Sequence, residues 1–319
     1  MNPTDGSDHT PSGNRNINMA PSPSFEWPSY TNTVHRSVYP AIDPSNSSNS
    51  AAGKVVLVTG GGSGVGKGIA QAYVKAGAKA VAILGRRENV LAEAKKDIEE
   101  SSSSTKILTF KADIVDAKAL ENAFATTQKE VGPIDITVAN AGYLPSPGSL
   151  TDENLDFEEY MTSFDIHIKG TINTFRSFMK HRSPKAEPTF IAINTGAAHV
   201  PPFPGGSSYA ASKAAQAQVI SAFQTENPDV RVVQFHPGVI ETEMFQKSGM
   251  QFSSDDVSLP ASFAVWLASP RANWVKGLFL WAHWDVEELE NLKEEILAKG
   301  HLKLALGGFP RVEKPVVVV

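Results

Sequence analysis

The chain has no cysteine. Disulfides, thiolate nucleophiles, zinc–thiolate sites and iron–sulfur clusters are therefore excluded, and the absence fits a reducing compartment. Long apolar runs are missing too: none approaches the roughly 18 residues that a membrane-spanning helix needs. The N-terminus lacks a basic stretch followed by an apolar one, and Asp5, Asp8 and Glu26 argue against an Arg-rich transit segment. No membrane partner and a cytoplasmic location are expected. Positive charge is scarce: 29 Lys and Arg against 34 Asp and Glu give a net charge of −5, so there is no basic footprint for nucleic acid. With 24 Gly and 21 Pro in 319 residues, the composition is neither collagen-like nor wholly disordered. What is present, 41% hydrophobic and 20% charged residues, suffices for a sizeable core.

Residues 1–50 form an N-terminal extension rich in Pro, Ser, Asn and Thr. Its first two dozen residues are expected to be disordered, because they cannot bury enough apolar surface to offset ordering entropy. Phe25, Trp27, Tyr30, Val38, Tyr39 and Ile42 are apolar anchors of a segment expected to lie on the body of the fold. Residues 51–310 are read as one domain, followed by a tail, 311–319. Within the domain, apolar strand-like runs alternate with helical segments. The expected strands are Lys54–Thr59, Ala80–Leu84, Lys106–Phe110, Ile134–Ala139, Thr189–Asn194, Val230–Phe235 and Gly277–Ala282. The expected helices are Gly64–Ala76, Glu88–Glu100, Ala117–Glu130, Phe157–Lys180, Ser208–Gln224, Pro260–Ala268 and Val286–Ala298. Strict alternation with near-continuous apolar strands predicts an α/β fold: a single Rossmann-type, doubly wound parallel sheet of about seven strands, covered by helices on both faces. Its ligands belong at the carboxyl ends of the strands.

Val58-Thr59-Gly60-Gly61-Gly62-Ser63-Gly64-Val65-Gly66 follows the first strand and opens a helix. Glycines there let the backbone approach a pyrophosphate, and the helix start offers unpaired N–H groups and a positive dipole end. After the second strand, where a carboxylate would bind the ribose hydroxyls of NAD, stand Gly85-Arg86-Arg87. Guanidinium groups favour a ribose 2′-phosphate, so NADP(H) is the expected cofactor; the plainer reading is a solvated helix start with two ordinary arginines. Tyr209-Ala210-Ala211-Ser212-Lys213 puts a phenol and an ammonium at i and i+4, on one helix face. A lysine so placed lowers the phenol pKa, and such a tyrosine can exchange a proton with an alcohol or carbonyl oxygen. Alone, this pair is a common chance match.

Taken together, TGGGSGVG (59–66), Ala112-Asp113, Asn140-Ala141-Gly142, Tyr209 with Lys213, and Pro237-Gly238 with Thr242 resemble the short-chain dehydrogenase/reductase family over residues 50–285. The segments 39–44, 262–270 and 279–289 resemble a branch common in filamentous fungi and often tied to secondary metabolism. The resemblance implies that Gly60, Ser63, Gly64, Val65 and Gly66 line the pyrophosphate turn. It implies that Asp113 and the Ile114 backbone hold adenine, and that Asn140, Ala141 and Gly142 steady the central sheet beside the adenosine ribose. Tyr209 would move the proton. Lys213 would bind the nicotinamide ribose and tune Tyr209. Pro237, Gly238, Val239 and Thr242 would fix the nicotinamide carboxamide. Taken singly, Asp113 reads equally well as a helix N-cap and Pro237-Gly238 as a plain turn. A homodimer or homotetramer paired through the long helices is also implied.

Two positions depart from the family pattern. A serine usually stands 13 or 14 residues before the tyrosine; here those positions hold Gly196 and Thr195. Either Thr195 supplies the substrate-orienting hydroxyl or, at the shorter spacing, no side chain does. His167 stands where the family carries asparagine, either as part of a proton relay or as a packed histidine. Segments 143–149, 197–206 and 244–256 would face the substrate. They carry Tyr143, Leu144, Phe203, Met244, Phe245, Met250 and Phe252, which suit a mostly apolar carbonyl or alcohol. Asp255 and Asp256 read as solvent-exposed or as a helix cap. The expected function is an NADP(H)-dependent oxidoreductase. A non-redox dehydration, isomerisation or cyclisation on the same fold, or a cofactor-sensing regulator, are the competing readings.

Overall fold

A computed structural model describes residues 29–100, 104–184, 187–201, 203–248 and 254–307. The expected disorder of the first two dozen residues, the anchors Phe25 and Trp27, the 311–319 tail, and Met250 and Phe252 lie outside the described residues.

Seven strands form one parallel sheet in the order β3-β2-β1-β4-β5-β6-β7. They are β1 (Val55–Thr59), β2 (Ala80–Gly85), β3 (Lys106–Lys111), β4 (Ile136–Ala139), β5 (Thr189–Ile193), β6 (Arg231–His236) and β7 (Phe279–Trp281). The helices are α1 (Gly64–Lys75), α2 (Glu88–Glu99), α3 (Ala117–Val131), α4 (Phe157–Phe164), α5 (Thr171–His181), α6 (Ser207–Glu226), α7 (Glu243–Ser248), α8 (Ser258–Ala268), α9 (Val286–Asn291) and α10 (Lys293–Lys299). Alternate residues of a strand face opposite sides of a sheet. Val56 and Val58 accordingly join one apolar cluster with α1 and α8, while Val55 and Leu57 join another with α3 and α5. After β3 the chain returns to place β4 beside β1. This reversal opens a crevice at the strand carboxyl ends.

Two helices expected to be continuous are not. Phe157–Lys180 is interrupted by a π-helical turn, Asp165–Gly170, between α4 and α5. Gly170 sits there against Ile114, whose Cδ1 would lie 2.4 Å from an added Cβ. Val286–Ala298 breaks at Leu292 (φ −89°, ψ 0°) into α9 and α10.

The extension from Ser29 onward is a strap laid over the β7 side of the domain. Ile42 is fully buried, and Tyr30, Val38 and Tyr39 pack on the core. Val34 bridges Trp284, and the N–H of His35 donates to His283 O at 2.8 Å. The Tyr39 hydroxyl donates to Trp284 O (3.2 Å) and accepts from the Val286 N–H (2.9 Å). Glu288 accepts the backbone N–H groups of Asn32 and Thr33 at 2.7 and 2.8 Å. Among the described residues, no helix is long and apolar enough to cross a membrane.

Candidate active site

The crevice encloses about 1120 Å³. One end of it is the glycine turn after β1. The Asn140 amide donates to Thr59 O (3.0 Å) and Gly60 O (3.2 Å), while Thr59 Oγ1 accepts the N–H groups of Asn140 and Ala141, each at 3.1 Å. These bonds close the split between β1 and β4. Gly60, Ser63, Gly64 and Val65 line the crevice, and Gly64 has φ +51°, which a side chain would strain. Gly66, expected to line the turn as well, does not. It is buried against the turn itself, and an added Cβ would lie 2.2 Å from Gly60 O. Its smallness lets α1 start under the loop.

After β2 and β3, Arg86, Arg87, Asp113 and Ile114 line the wall. Asp113 is not the cap of α3: its Oδ1 accepts the Val115 N–H (3.0 Å), while Asp116 caps the helix through the N–H groups of Lys118 and Ala119. Arg87 reaches across the mouth to Glu243, at the start of α7, with Nη2 3.1 Å from Oε2.

Tyr209 and Lys213, one turn apart on α6, both face the crevice beside Thr195. Burial pushes the Tyr209 phenol up to about 12, and a hydrogen bond with Thr195 pulls the other way. The expected acidification of this phenol by Lys213 is therefore not what the geometry gives. The ammonium is aimed elsewhere: Nζ donates to Ile193 O and to Gln216 Oε1, each at 2.9 Å. Burial draws Lys213 itself down to about 7. Gln216 is fixed in turn by donating to Thr171 Oγ1 at 2.7 Å. Thr195, rather than Gly196, brings its side chain to the crevice wall.

His167 does not line the crevice; it is fully buried behind Tyr209, ring centroids 5.6 Å apart. Its Nε2 accepts the Tyr143 N–H (3.1 Å), so in the neutral ring Nδ1 carries the proton and donates to Ser212 Oγ (2.8 Å). Ser212 then donates to the Tyr209 carbonyl at 3.0 Å. Burial first, and the Lys213 charge second, hold His167 at about 2. A neutral ring with both nitrogens committed holds the backbone around Tyr209 rather than relaying protons. Of the two expected readings, relay member or packed histidine, the packed one is what the geometry gives. The π-helical turn places it there.

Pro237, Gly238, Val239 and Thr242 line the opposite wall, next to Tyr143, Leu144, Phe203, Met244 and Phe245. Ala141 and Gly142 complete the wall near β4. Sequence reasoning missed three groups. Gln216 and Ser212 lie on the catalytic helix, at i+3 from Lys213 and Tyr209, a spacing that could have drawn attention. Glu159 gathers Tyr143 Oη (2.7 Å), Lys247 Nζ (3.0 Å) and the Ser146 N–H (3.2 Å) on Oε1, tying the far end of α7 to α4. The Tyr143 hydrogen bond, then Lys247, hold Glu159 at about 2. Asp255 was expected to be exposed or a cap, yet its side chain is 1% exposed; Asp256 closes the local turn, its Oδ1 accepting the Ser258 N–H at 2.8 Å.

Residues 54–251 match the family model described as short chain dehydrogenase. The chain is 34% identical over 281 residues to the short chain dehydrogenase/reductase nsrO of Aspergillus novofumigatus, covering 85% of this chain and 93% of that one. It is 33% identical over 271 residues to the short chain dehydrogenase/reductase AacuD of Aspergillus aculeatus, covering 83% and 92%. Among solved structures, a 3-ketoacyl-(acyl-carrier-protein) reductase from Brucella melitensis complexed with NADH superimposes with a TM-score of 0.65. It is 26% identical, covering 73% of this chain and 97% of that one.

Proposed function

The chain belongs to the short-chain dehydrogenase/reductase family, and from that premise we propose that it is an NADP(H)-dependent oxidoreductase reducing a medium-sized, mostly apolar carbonyl compound in the cytoplasm. The observation that carries this reading is the meeting of Tyr209, Lys213 and Thr195 on the wall of a crevice whose other end is a glycine turn at a helix start. The residues fit a dinucleotide. The glycine cradle would accept phosphate without Cβ clashes, and Arg86 and Arg87 line the same crevice with guanidinium groups that suit a ribose 2′-phosphate. When bound, the nicotinamide supplies a hydride to the carbonyl carbon.

The chain supplies the rest. The Thr195 hydroxyl orients the carbonyl oxygen. The Tyr209 O–H bond breaks and its proton passes to that oxygen, leaving phenolate beside Thr195. A phenol held near 12 is fully protonated at neutral pH, which suits a proton donor in the reductive direction. Lys213, on the same face of α6 and lining the same crevice, holds the nicotinamide ribose. Tyr143, Leu144, Phe203, Met244 and Phe245 exclude water around an apolar substrate. The fungal relatives support a place in secondary metabolism, and pairing of copies through α4, α5 and α6 is the proposed assembly.

Purified protein supplied with NADPH and a panel of apolar ketones and aldehydes tests this. Consumption of NADPH with formation of the alcohol is expected. Absence of both binding and turnover with either NADPH or NADH overturns it. Faster turnover with NADH overturns the cofactor assignment alone.

A further inference from the structure

Asp255 receives hydrogen bonds from three separate parts of the chain. Arg36 Nη1, from the strap, lies 3.1 Å from Oδ1. His283 Nε2, from the turn after β7, and the Val239 N–H, from the crevice wall, lie 2.8 and 2.9 Å from Oδ2. Burial raises the Asp255 pKa, but the His283 hydrogen bond and the charges of His283 and Arg36 outweigh it and hold the group below the usual carboxylate range. The carboxylate has no proton to give, so His283 Nε2 is the donor.

The wall is built around this carboxylate. Gly238 has φ +95°, and an added Cβ would come within 2.7 Å of Asp255 Oδ2. Both backbone groups of Val239 are committed to Asp255, since the Asp255 N–H also donates to Val239 O at 2.7 Å. The strap is fastened to the same point a second time by the Asp256 N–H on Arg36 O at 2.8 Å. Arg36 lies outside the segment that matches the family model, 54–251.

We propose that Asp255, with Arg36 of the N-terminal strap as its counter-ion, is a positioning residue that sets the Pro237–Thr242 wall for the nicotinamide half of the cofactor. The strap is thereby a working part of the crevice. This rests on the reading of the crevice as a dinucleotide site.

The consequence is a split between the two halves of the ligand. Arg36 has a side chain 60% exposed, so its loss leaves the core packing untouched. Full-length wild type, Arg36→Ala, Arg36→Lys and Asp255→Asn are titrated with NADPH and with adenosine 2′,5′-bisphosphate, which has no nicotinamide, and their thermal midpoints are recorded. Arg36→Ala is expected to weaken NADPH about tenfold, the scale of one charged hydrogen bond, and to leave the bisphosphate unchanged. Arg36→Lys is expected to restore most of the loss, and Asp255→Asn to weaken NADPH at least as much. Equal loss for both ligands, or unchanged NADPH binding in Arg36→Ala and Asp255→Asn, overturns the proposal while leaving the dinucleotide reading intact. A wild type that binds neither ligand overturns both.

Discussion

Behind Tyr209 the crevice is fastened by groups that never meet water. His167, Ser212, Thr171 and Gln216 are all at most 3% exposed, and they join α6 to the π-helical turn and α5 by neutral hydrogen bonds. Across the mouth, α7 is fastened at both ends by ion pairs open to solvent, Glu243 to Arg87 on one wall and Lys247 to the half-buried Glu159 on the other. Buried neutral bonds are unscreened and costly to leave unmade, so they fix one geometry. Exposed ion pairs contribute about 0–1 kcal/mol each and weaken with salt, so they hold a segment that can be released. Tyr209 and Lys213 sit on the first kind of support and α7 on the second.

The largest effect is expected at Tyr209. Tyr209→Phe should lower turnover by about 10²–10⁴-fold while NADPH still binds, measured by steady-state rates alongside fluorescence titration. Turnover within a few-fold of wild type removes the phenol from the chemistry and the floor from its privileged place.

Next comes His167→Leu. The substitution takes away the acceptor of the Tyr143 N–H and one of the two partners of the buried Ser212 Oγ, and about 1–3 kcal/mol of stability should be lost in urea denaturation. A loss below about 0.5 kcal/mol would mean that the floor is no stiffer than the rim.

A pH series sharpens the same point. The folded His167 stays neutral down to about 2, against an ordinary value of 6.5. Above the ordinary value both folded and unfolded forms are neutral and its contribution is fully present. As pH falls below it only the unfolded chain takes up the proton, so stability is lost progressively toward the folded value. His236, held at about 3 chiefly by burial, acts in the same direction. The urea midpoint should therefore fall from about pH 7 to about pH 5, and His167→Asn should flatten the fall. An unchanged slope in that variant would assign the acid sensitivity elsewhere.

The smallest effects belong to the rim. Glu159→Gln should change stability by less than about 1 kcal/mol and raise KM for substrate only a few-fold, with the difference vanishing in high salt. Glu243→Gln frees Arg87 and should tighten NADPH a few-fold over NADH at low salt. A salt-independent effect at either position would place these pairs with the floor.

The glycine turn, the strand sequence and the Tyr209–Lys213 pair were legible because each is local. A strand–glycine–helix succession and an i, i+4 spacing carry their geometry within a few residues. The π-helical turn was not legible: a register change in a helix leaves no periodic mark when it is set by Gly170 meeting Ile114. Asp255 and Asp256 looked like a charged surface pair, and nothing near them pointed to Arg36, 219 positions away. Gly66 looked like one more phosphate-turn glycine, whereas tight packing against Gly60 is what it allows.

From the sequence alone came the alternation that builds a doubly wound sheet, the place where its crevice opens, and the residue types that meet there. Short-range backbone geometry settles these, and it is written in neighbouring residues. Only the tertiary structure decided which groups are dry, and hence which are neutral: a phenol held protonated, a histidine kept neutral well below its ordinary value, an aspartate kept ionised by His283 first and by Arg36 of the strap as well. Protonation follows from desolvation and from partners brought together by folding, and neither is a property of a residue's neighbours in the chain.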